Sequence, residues 1–210
     1  MTDKSAFDRH VVEYDSWFEK YPHVYAAELK AIRQLMPAQA KGLEVGTGTG
    51  RFAIPLGIQT GVEPSATMRA FTKQYNLSVV NAVAEALPFA DHQFDFVLYV
   101  TVDCFLDSLE QAYQEAHRVL RNDGVILVAM LNRQSKIVEQ YEKHKHNSHF
   151  YRHARFHYVT EITEVLSRCG FGEFQYRETL FNDLAKITLH EDIRTGFSTG
   201  AFVVIRGHKI

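Results

Sequence analysis

The sequence has few cysteines, no long apolar run and no excess of charge of either sign. Only two of its 210 residues are cysteines, Cys104 and Cys169, and they lie far apart. This spacing argues against a disulfide framework or a cysteine zinc site, so both thiols are expected in the core. No stretch approaches the ~20 consecutive apolar residues of a membrane-spanning helix. Because the charged segment 1–10 also lacks the apolar centre of a signal peptide, a cytoplasmic protein without membrane contact is expected.

Charged residues of both signs are interspersed along the chain, and their formal sum is −2 at pH 7. This leaves no broad positive field for a phosphate backbone, so nucleic acid is a poor candidate partner. The hydrophobic fraction of 46% suffices for one substantial core. No repeat divides the chain, and one domain over residues 1–210 is therefore predicted. The sequence does not indicate the oligomeric state.

Two N-terminal segments carry apolar residues at three- and four-residue spacing, which predicts two amphipathic helices before residue 37. Pro22 is expected to end the first helix and Pro37 to close the second. The apolar face of the first helix consists of Phe7, Val11, Tyr14, Phe18 and Tyr21. That of the second consists of Val24, Ala27, Ala31 and Leu35.

Strand-like and helical patterns alternate after residue 40, which predicts an α/β fold with a parallel, doubly wound sheet and helices on both faces. A turn at residues 122–124 is expected to precede the last parallel strand. The two final strands have no long crossover helix between them, and this permits an antiparallel pair. A mostly parallel sheet of seven strands is thus predicted, with strands at 43–45, 61–63, 79–80, 94–102, 125–131, 174–181 and 201–205.

A glycine-rich loop follows the first strand, with Gly46, Gly48 and Gly50 at alternate positions and a helical pattern after them. Glycines let a ligand approach the backbone, and the start of the helix offers free N–H groups to an anionic group such as a carboxylate. The dinucleotide-binding fingerprint requires a glycine where this chain has Arg51, which disfavours a nicotinamide or flavin cofactor. The loop is therefore predicted to bind another ligand.

An acidic residue, Glu63, ends the second strand 17 positions after Gly46. This is near the ~20-residue distance at which an acid after a glycine loop reaches a ribose diol. The alternative for Glu63 is an exposed acid at a strand end, but its pairing with the glycine loop favours the ribose role.

Four segments together resemble the Rossmann-like (class I) S-adenosylmethionine-dependent methyltransferases, in the broad group that includes the ubiquinone/menaquinone C-methyltransferases. They are residues 43–53, 61–68 (GVEPSATM), 84–97 (AEALPFADHQFDFV) and 115–127 (EAHRVLRNDGVIL). The resemblance implies methyl transfer from S-adenosylmethionine to an N, O, S or C atom of a small molecule, with S-adenosylhomocysteine as product. The alternative is a non-catalytic module that binds either compound as a sensor.

The resemblance also divides the chain by function. It implies an N-terminal helical lid (1–37), a cofactor-binding core (40–131), a linker or cap (132–158) and a C-terminal helix with a strand pair (159–210).

The resemblance assigns cofactor contacts to residues of the four segments and of the fourth strand's end. The methionine part would contact Glu44, Gly46, Thr47, Gly48 and Gly50. The ribose and adenine would contact Glu63, Pro64, Ser65, Met68, Ala84 and Glu85, and Thr101 would lie near the transferable methyl. The family usually has an aspartate where this chain has Val83, so Glu85 or a backbone carbonyl would accept from the adenine amino group. Leu87 and Phe89 of the same stretch can equally be core residues.

Substrate-facing residues are predicted in the first helix and after the fourth strand, namely Tyr14, Trp17, Asp103, Cys104 and Phe105. Tyr14 and Trp17 resemble a stretch that folds over the cofactor, although a helix docking its aromatic face on the core explains them as well. Tyr14 and Asp103 are the catalytic candidates. Asp103 can act as a base or cap the following helix.

A histidine-rich segment spans residues 144–157, and its spacing would place His149, His153 and His157 on one helical face. Histidine is a frequent zinc ligand, yet no cysteine or carboxylate cluster completes a shell. The interleaved cations Lys145, Arg152 and Arg155 disfavour a divalent ion. No metal is therefore predicted, and a solvated linker or a substrate-capping segment is expected.

Overall fold

The computed structural model describes residues 5–210; residues 1–4, the start of the predicted lid, lie outside the described range. Eight strands form one sheet in the order β3-β2-β1-β4-β5-β8-β6-β7. The strands are β1 (Gly42–Val45), β2 (Thr60–Val62), β3 (Ser78–Val80), β4 (Phe94–Val100), β5 (Leu120–Leu131), β6 (Phe171–Thr179), β7 (Arg194–Thr195) and β8 (Phe202–Lys209). The helices are α1 (Ser5–Arg9), α2 (Val11–Lys20), α3 (Pro22–Leu35), α4 (Ala53–Leu56), α5 (Ala66–Thr72), α6 (Leu109–Val119), α7 (Lys136–His144) and α8 (Val159–Arg168).

Strands β1 to β5 pair in parallel, and β8 is antiparallel to both β5 and β6. The predicted Rossmann-like sheet with an antiparallel C-terminal strand is confirmed, with eight strands instead of seven. The additional strand, β7, is a two-residue edge strand beside β6. It has no apolar alternation because both of its residues are exposed, so no sequence pattern marked it.

The turn expected at residues 122–124 lies inside β5. Phe94 pairs with Leu120 and Phe96 with Val125, so residues 121–124 form a bulge opposite Asp95. Arg121 holds this bulge through an ion pair with Asp95 of 2.6 Å. Residues 121–124 therefore leave the hydrogen-bonded ladder with β4, while β5 continues on both sides of them.

Helices cover both faces of the sheet, as the alternation in β4 shows. Phe96 and Leu98 pack in one apolar cluster with residues of α3. Val97 and Tyr99, which point the other way, pack with residues of α6 and α8. Cys104 and Cys169 are buried free thiols, as expected.

The N-terminal segment forms three helices where two were expected. The chain bends at His10, which separates α1 from α2, and Pro22 is the first residue of α3. The bend lets α1 contact α5 while α2 contacts α3, and α3 itself packs against β5, β6 and β8. Within residues 5–210, no helix has both the length and the apolar character needed to cross a bilayer.

Candidate active site

A cavity of about 650 Å³ runs along the carboxyl edge of the parallel strands. Its wall includes Val62 of β2, Val45 of β1, Leu131 of β5 and Leu180 after β6. Five strand-to-strand steps separate β2 from β6, or roughly 24 Å at ~4.8 Å per step. The cavity therefore has two separate ends, which we call the β2 end and the β6 end.

The glycine loop presents bare backbone to the β2 end. Gly46 and Gly48 line the cavity and have φ values of +76° and +55°. A Cβ on Gly46 would lie 2.4 Å from the side chain of Val102, and one on Gly48 would lie 3.2 Å from the Tyr14 hydroxyl. Both positions require glycine because of the backbone angle and the close approach.

Glu63 faces the same end and is held by two backbone donors. Its Oε2 accepts from the Gly48 N–H at 2.9 Å, and its Oε1 accepts from the Ser65 N–H at 2.8 Å. Burial raises the pKa of Glu63, and these two hydrogen bonds oppose that shift. Each oxygen keeps acceptor capacity toward the cavity, so the carboxylate can bind a pair of hydroxyl groups.

The segment 82–85 and Met68 complete this end, and Pro64 and Ser65 line it beside Glu63. Glu85 lines the cavity, and its Oε1 accepts from the backbone N–H groups of Asp107 and Ser108 at 3.0 and 3.3 Å. Two backbone hydrogen bonds to one of its oxygens thus fix the position of this carboxylate. Leu87 is buried and Phe89 packs against the core, so both are core residues.

Three of the predicted cofactor residues, Glu44, Thr47 and Gly50, are not on the cavity wall among the described residues. Thr47 donates to the Glu44 carbonyl at 3.1 Å, and the N–H of Gly50 donates to the Thr47 carbonyl at 3.0 Å. The Glu44 carboxyl is buried, and burial raises its pKa well above the usual value. Among residues 5–210, no group forms a hydrogen bond with Glu44 Oε2. The side chain of Glu44 points away from the Leu43 and Val45 side of β1, which packs against α6.

Tyr14 and Trp17 of α2 line the cavity, as predicted. Tyr14 reaches the glycine loop, and burial raises the pKa of its phenol. Asp15, the next residue, binds the loop directly: its Oδ1 accepts from Thr49 Oγ1 and from Arg51 Nε, each at 2.8 Å. Arg51, which breaks the dinucleotide fingerprint, therefore anchors the N-terminal helices over the site.

We expect Asp15→Asn to loosen this anchor and to weaken the binding of S-adenosylhomocysteine about 10-fold. Charge-assisted hydrogen bonds contribute roughly 1.5–3 kcal/mol each, and both side chains are mostly shielded from water. Calorimetry measures the affinity, and hydrogen exchange of residues 11–20 reports the loosening. The matched control is Glu19→Gln, since Glu19 pairs with the same Arg51 but is 75% exposed. Equal affinities for the two variants would refute the anchoring role.

The segment after β4 divides between the cavity and the core. Thr101, with φ of +51°, and Phe105 line the cavity. Asp103 and Cys104 are buried in a short 3₁₀ turn. Burial raises the pKa of Asp103 to about 7, against hydrogen bonds from its own N–H and that of Cys104. The cap of α6 is Ser108, which accepts from the Gln111 N–H. Asp103 therefore does not cap α6.

The β6 end contains one acid that sequence analysis missed, Glu28 of α3. It lies on the cavity wall with Tyr21, Ile137, Tyr141 and Leu180. Its side chain is buried, and burial raises its pKa to about 8. A signal existed, because Glu28 follows Val24 by four residues and therefore shares the apolar face of the helix.

The predicted helical face of His149, His153 and His157 is wrong. The chain forms 3₁₀ turns at Lys145–Asn147 and Tyr151–His153, and His157 is buried beside Glu161. His149 meets the N-terminal helices instead: its Nδ1 lies 3.1 Å from Glu13, and its ring stacks on His10 at 4.0 Å. The ligand-type atoms of His10, Glu13 and His149 lie within 4.8 Å of one another. These partners are more than 130 residues apart, so spacing did not indicate them.

Comparison with known proteins gives a consistent group of relatives. A methyltransferase-domain family model matches residues 43–128. A Thermotoga maritima structure, named "SAM-dependent methyltransferase, possible histamine N-methyltransferase", is 41% identical, with a TM-score of 0.95 over 98% of this chain and 99% of that one. An uncharacterised protein of Methanocaldococcus jannaschii is 36% identical over 98% of this chain and 100% of its own length.

A more distant relative has a named acceptor. The malonyl-[acyl-carrier protein] O-methyltransferase of Geobacter sulfurreducens is 30% identical over 145 residues, which are 60% of this chain and 52% of that protein.

Proposed function

We propose that this chain, which belongs to the class I S-adenosylmethionine-dependent methyltransferases, transfers the methyl group of its cofactor to a small-molecule acceptor. The supporting observation is the single cavity that joins a nucleoside-type site at the β2 end to a mostly apolar β6 end. The family uses S-adenosylmethionine, whose sulfonium carries a transferable methyl group when the cofactor is bound. The acceptor would occupy the β6 end.

The residues of the β2 end suit this cofactor. The bare backbone of Gly46 and Gly48 admits a group that a Cβ would exclude, and Glu63 presents free acceptor capacity for two ribose hydroxyls. Tyr14 lies against the loop, and the N-terminal helices would act as a lid that limits access of water. Alignment of two reactants in such a site can lower the barrier by up to ~7–11 kcal/mol. The chain's main catalytic task would be to hold both molecules in line.

The names of the relatives differ in the atom of the acceptor that receives the methyl group. The Thermotoga maritima relative is named as a histamine N-methyltransferase candidate, and the Geobacter sulfurreducens relative as an O-methyltransferase. The resemblance to quinone C-methyltransferases stays a prediction. We favour a nitrogen acceptor because a buried acid, not a cation, lies among the apolar residues of the β6 end.

Ligand-induced stabilisation tests the proposed cofactor. S-adenosylhomocysteine at 100 times its dissociation constant is expected to add ~2.7 kcal/mol to stability. For a chain of this size, that raises the melting temperature by roughly 5–10 °C. NAD at the same concentration serves as the control and is expected to give no shift. A shift with NAD alone would contradict the proposal, and binding without methyl transfer to any compound in a cell extract would favour the sensor.

A further inference from the structure

The β6 end of the cavity is apolar and aromatic except for one buried acid. Glu28 is 5% exposed and shares the wall with Val24 and Tyr21, which precede it at helical spacing. Aliphatic side chains from three other elements complete this wall, namely Leu131, Ile137, Leu180 and Leu184. A carboxyl group in such surroundings is costly unless a partner is bound.

Glu28 has no such partner within residues 5–210, where no donor or cation contacts its carboxyl group. Burial raises the pKa of the phenols of Tyr14, Tyr25, Tyr141 and Tyr151, and the charge of Glu28 adds to each shift, so four tyrosines from different parts of the chain lie near it. The apolar environment is the single cause of its own raised pKa. The carboxyl group therefore faces the cavity with its binding capacity unused.

The charged groups that line the cavity outside the β2 end lie at its exposed rim or are already paired. Glu13, Lys20 and His144 are exposed, and the Lys20 ammonium lies 5.3 Å from the ring of Tyr21. Lys145 forms an ion pair of 2.9 Å with Glu142 and donates to the Ala154 carbonyl at 3.2 Å. None of them forms an ion pair with Glu28, which leaves its carboxyl group to the ligand.

We propose that Glu28 binds the amino group of the methyl acceptor, and that the acceptor class is a small primary or secondary amine on an apolar or aromatic body. This inference rests on the proposed function. An ammonium group satisfies the carboxylate, and the neighbouring aromatic rings attract it further by cation–π interaction. An acidic acceptor would bring two negative charges together in an apolar site and is excluded on that ground.

The same carboxylate can prepare the nitrogen for reaction. An ammonium has no lone pair, so Glu28 first accepts one proton from it and leaves the neutral amine. The amine nitrogen then attacks the methyl carbon in line, so that the N–C bond forms as the S–C bond breaks. The S–C electron pair stays on sulfur as S-adenosylhomocysteine leaves. The product leaves as an N-methylammonium ion, and Glu28 releases to water the proton that it accepted, which restores the carboxylate.

The test compares wild type with Glu28→Gln, which keeps the size of the side chain and removes the charge. The matched control is Glu164→Gln, an exposed acid on α8 far along the chain from the cavity wall. Phenethylamine and histamine are the amine probes, and 3-phenylpropanoic acid and 2-phenylethanol the acid and alcohol probes. Methyl-labelled cofactor reports transfer, and mass spectrometry of products from a cell extract identifies the methylated atom.

We expect N-methylated products, and kcat/KM for the amines at least 100-fold lower in Glu28→Gln but unchanged in Glu164→Gln. The affinity for S-adenosylhomocysteine should stay within 2-fold in both variants, which also verifies folding; Glu28→Asp replaces Glu28→Gln if the latter does not fold. Products methylated only on O, S or C, no product at all, or kcat/KM within 3-fold of wild type would overturn the role of Glu28. Failure of wild type to bind S-adenosylhomocysteine would instead overturn the proposed function.

Discussion

Replacement of Glu63 by glutamine is expected to weaken the binding of S-adenosylhomocysteine by at least ~100-fold, the first of the two largest effects we predict. Hydrogen bonds to a charged group contribute roughly 1.5–3 kcal/mol each, and the Glu63 carboxylate would bind two ribose hydroxyls. The amide of glutamine also turns its NH2 group toward one of the two backbone donors, the N–H groups of Gly48 and Ser65, which lie 2.9 and 2.8 Å from the two carboxylate oxygens. The variant therefore loses ligand contacts and the alignment of the glycine loop together.

Isothermal calorimetry measures this loss, and the melting temperature without ligand reports whether the variant is folded. Glu85→Gln is the informative comparison, because Glu85 lines the same end of the cavity. One of its carboxylate oxygens already accepts hydrogen bonds from the N–H groups of Asp107 and Ser108. We expect a smaller loss there, about 10-fold or less, since a single hydrogen bond to the adenine is at stake. An unchanged affinity of Glu63→Gln for S-adenosylhomocysteine would contradict the assignment of a nucleoside site to the β2 end.

The second large effect is a fall in stability with rising pH that originates in Glu28. Burial raises its pKa to about 8 in the folded protein, against 4.5 for the free side chain. Below pH 4.5 the carboxyl group is neutral in both states and has no effect on stability. Above this value the unfolded chain releases the proton first, so the folded state loses stability as the pH rises through about 8. The total loss is on the order of 5 kcal/mol.

Denaturant unfolding of wild type and Glu28→Gln between pH 4.5 and 9 measures this effect. The two proteins should be similarly stable at the acid end, and the variant should become the more stable one as the pH rises. Asp103, whose pKa burial raises to about 7, contributes to both proteins and cancels in the difference. A constant difference across this range would show that the Glu28 carboxyl is solvated or paired in the folded protein.

The glycine loop and Glu63 could be predicted because both lie in one short local unit of strand, turn and helix. Their order in the chain determines their order in space, and the positive φ of Gly46 and Gly48 follows from the turn they make. The same reasoning placed β8 correctly, since two strands without a crossover helix pair antiparallel. The surroundings of the Glu44 side chain do not follow from this local unit: its carboxyl group is buried, and within residues 5–210 its Oε2 has no hydrogen-bond partner.

Local sequence patterns do not predict contacts between segments that lie far apart in the chain. Arg51 was noted only as a missing glycine, yet it joins the loop to Asp15, 36 residues earlier in the chain. His149 was expected to align with other histidines of its own segment and instead stacks on His10. Many charged and aromatic residues suit each position in these pairs, so residue type does not identify the partner.

The sequence by itself determined the parallel sheet, its antiparallel end and the nucleoside-type loop, because periodicity and turn chemistry act over a few residues. Only the tertiary structure decided which side chains share the cavity and where the N-terminal helices are anchored. It also decided that Glu28 faces an apolar space without a partner among residues 5–210. The reason is physical: burial and the electrostatic environment of a group depend on everything packed around it, and that packing is complete only in the folded chain.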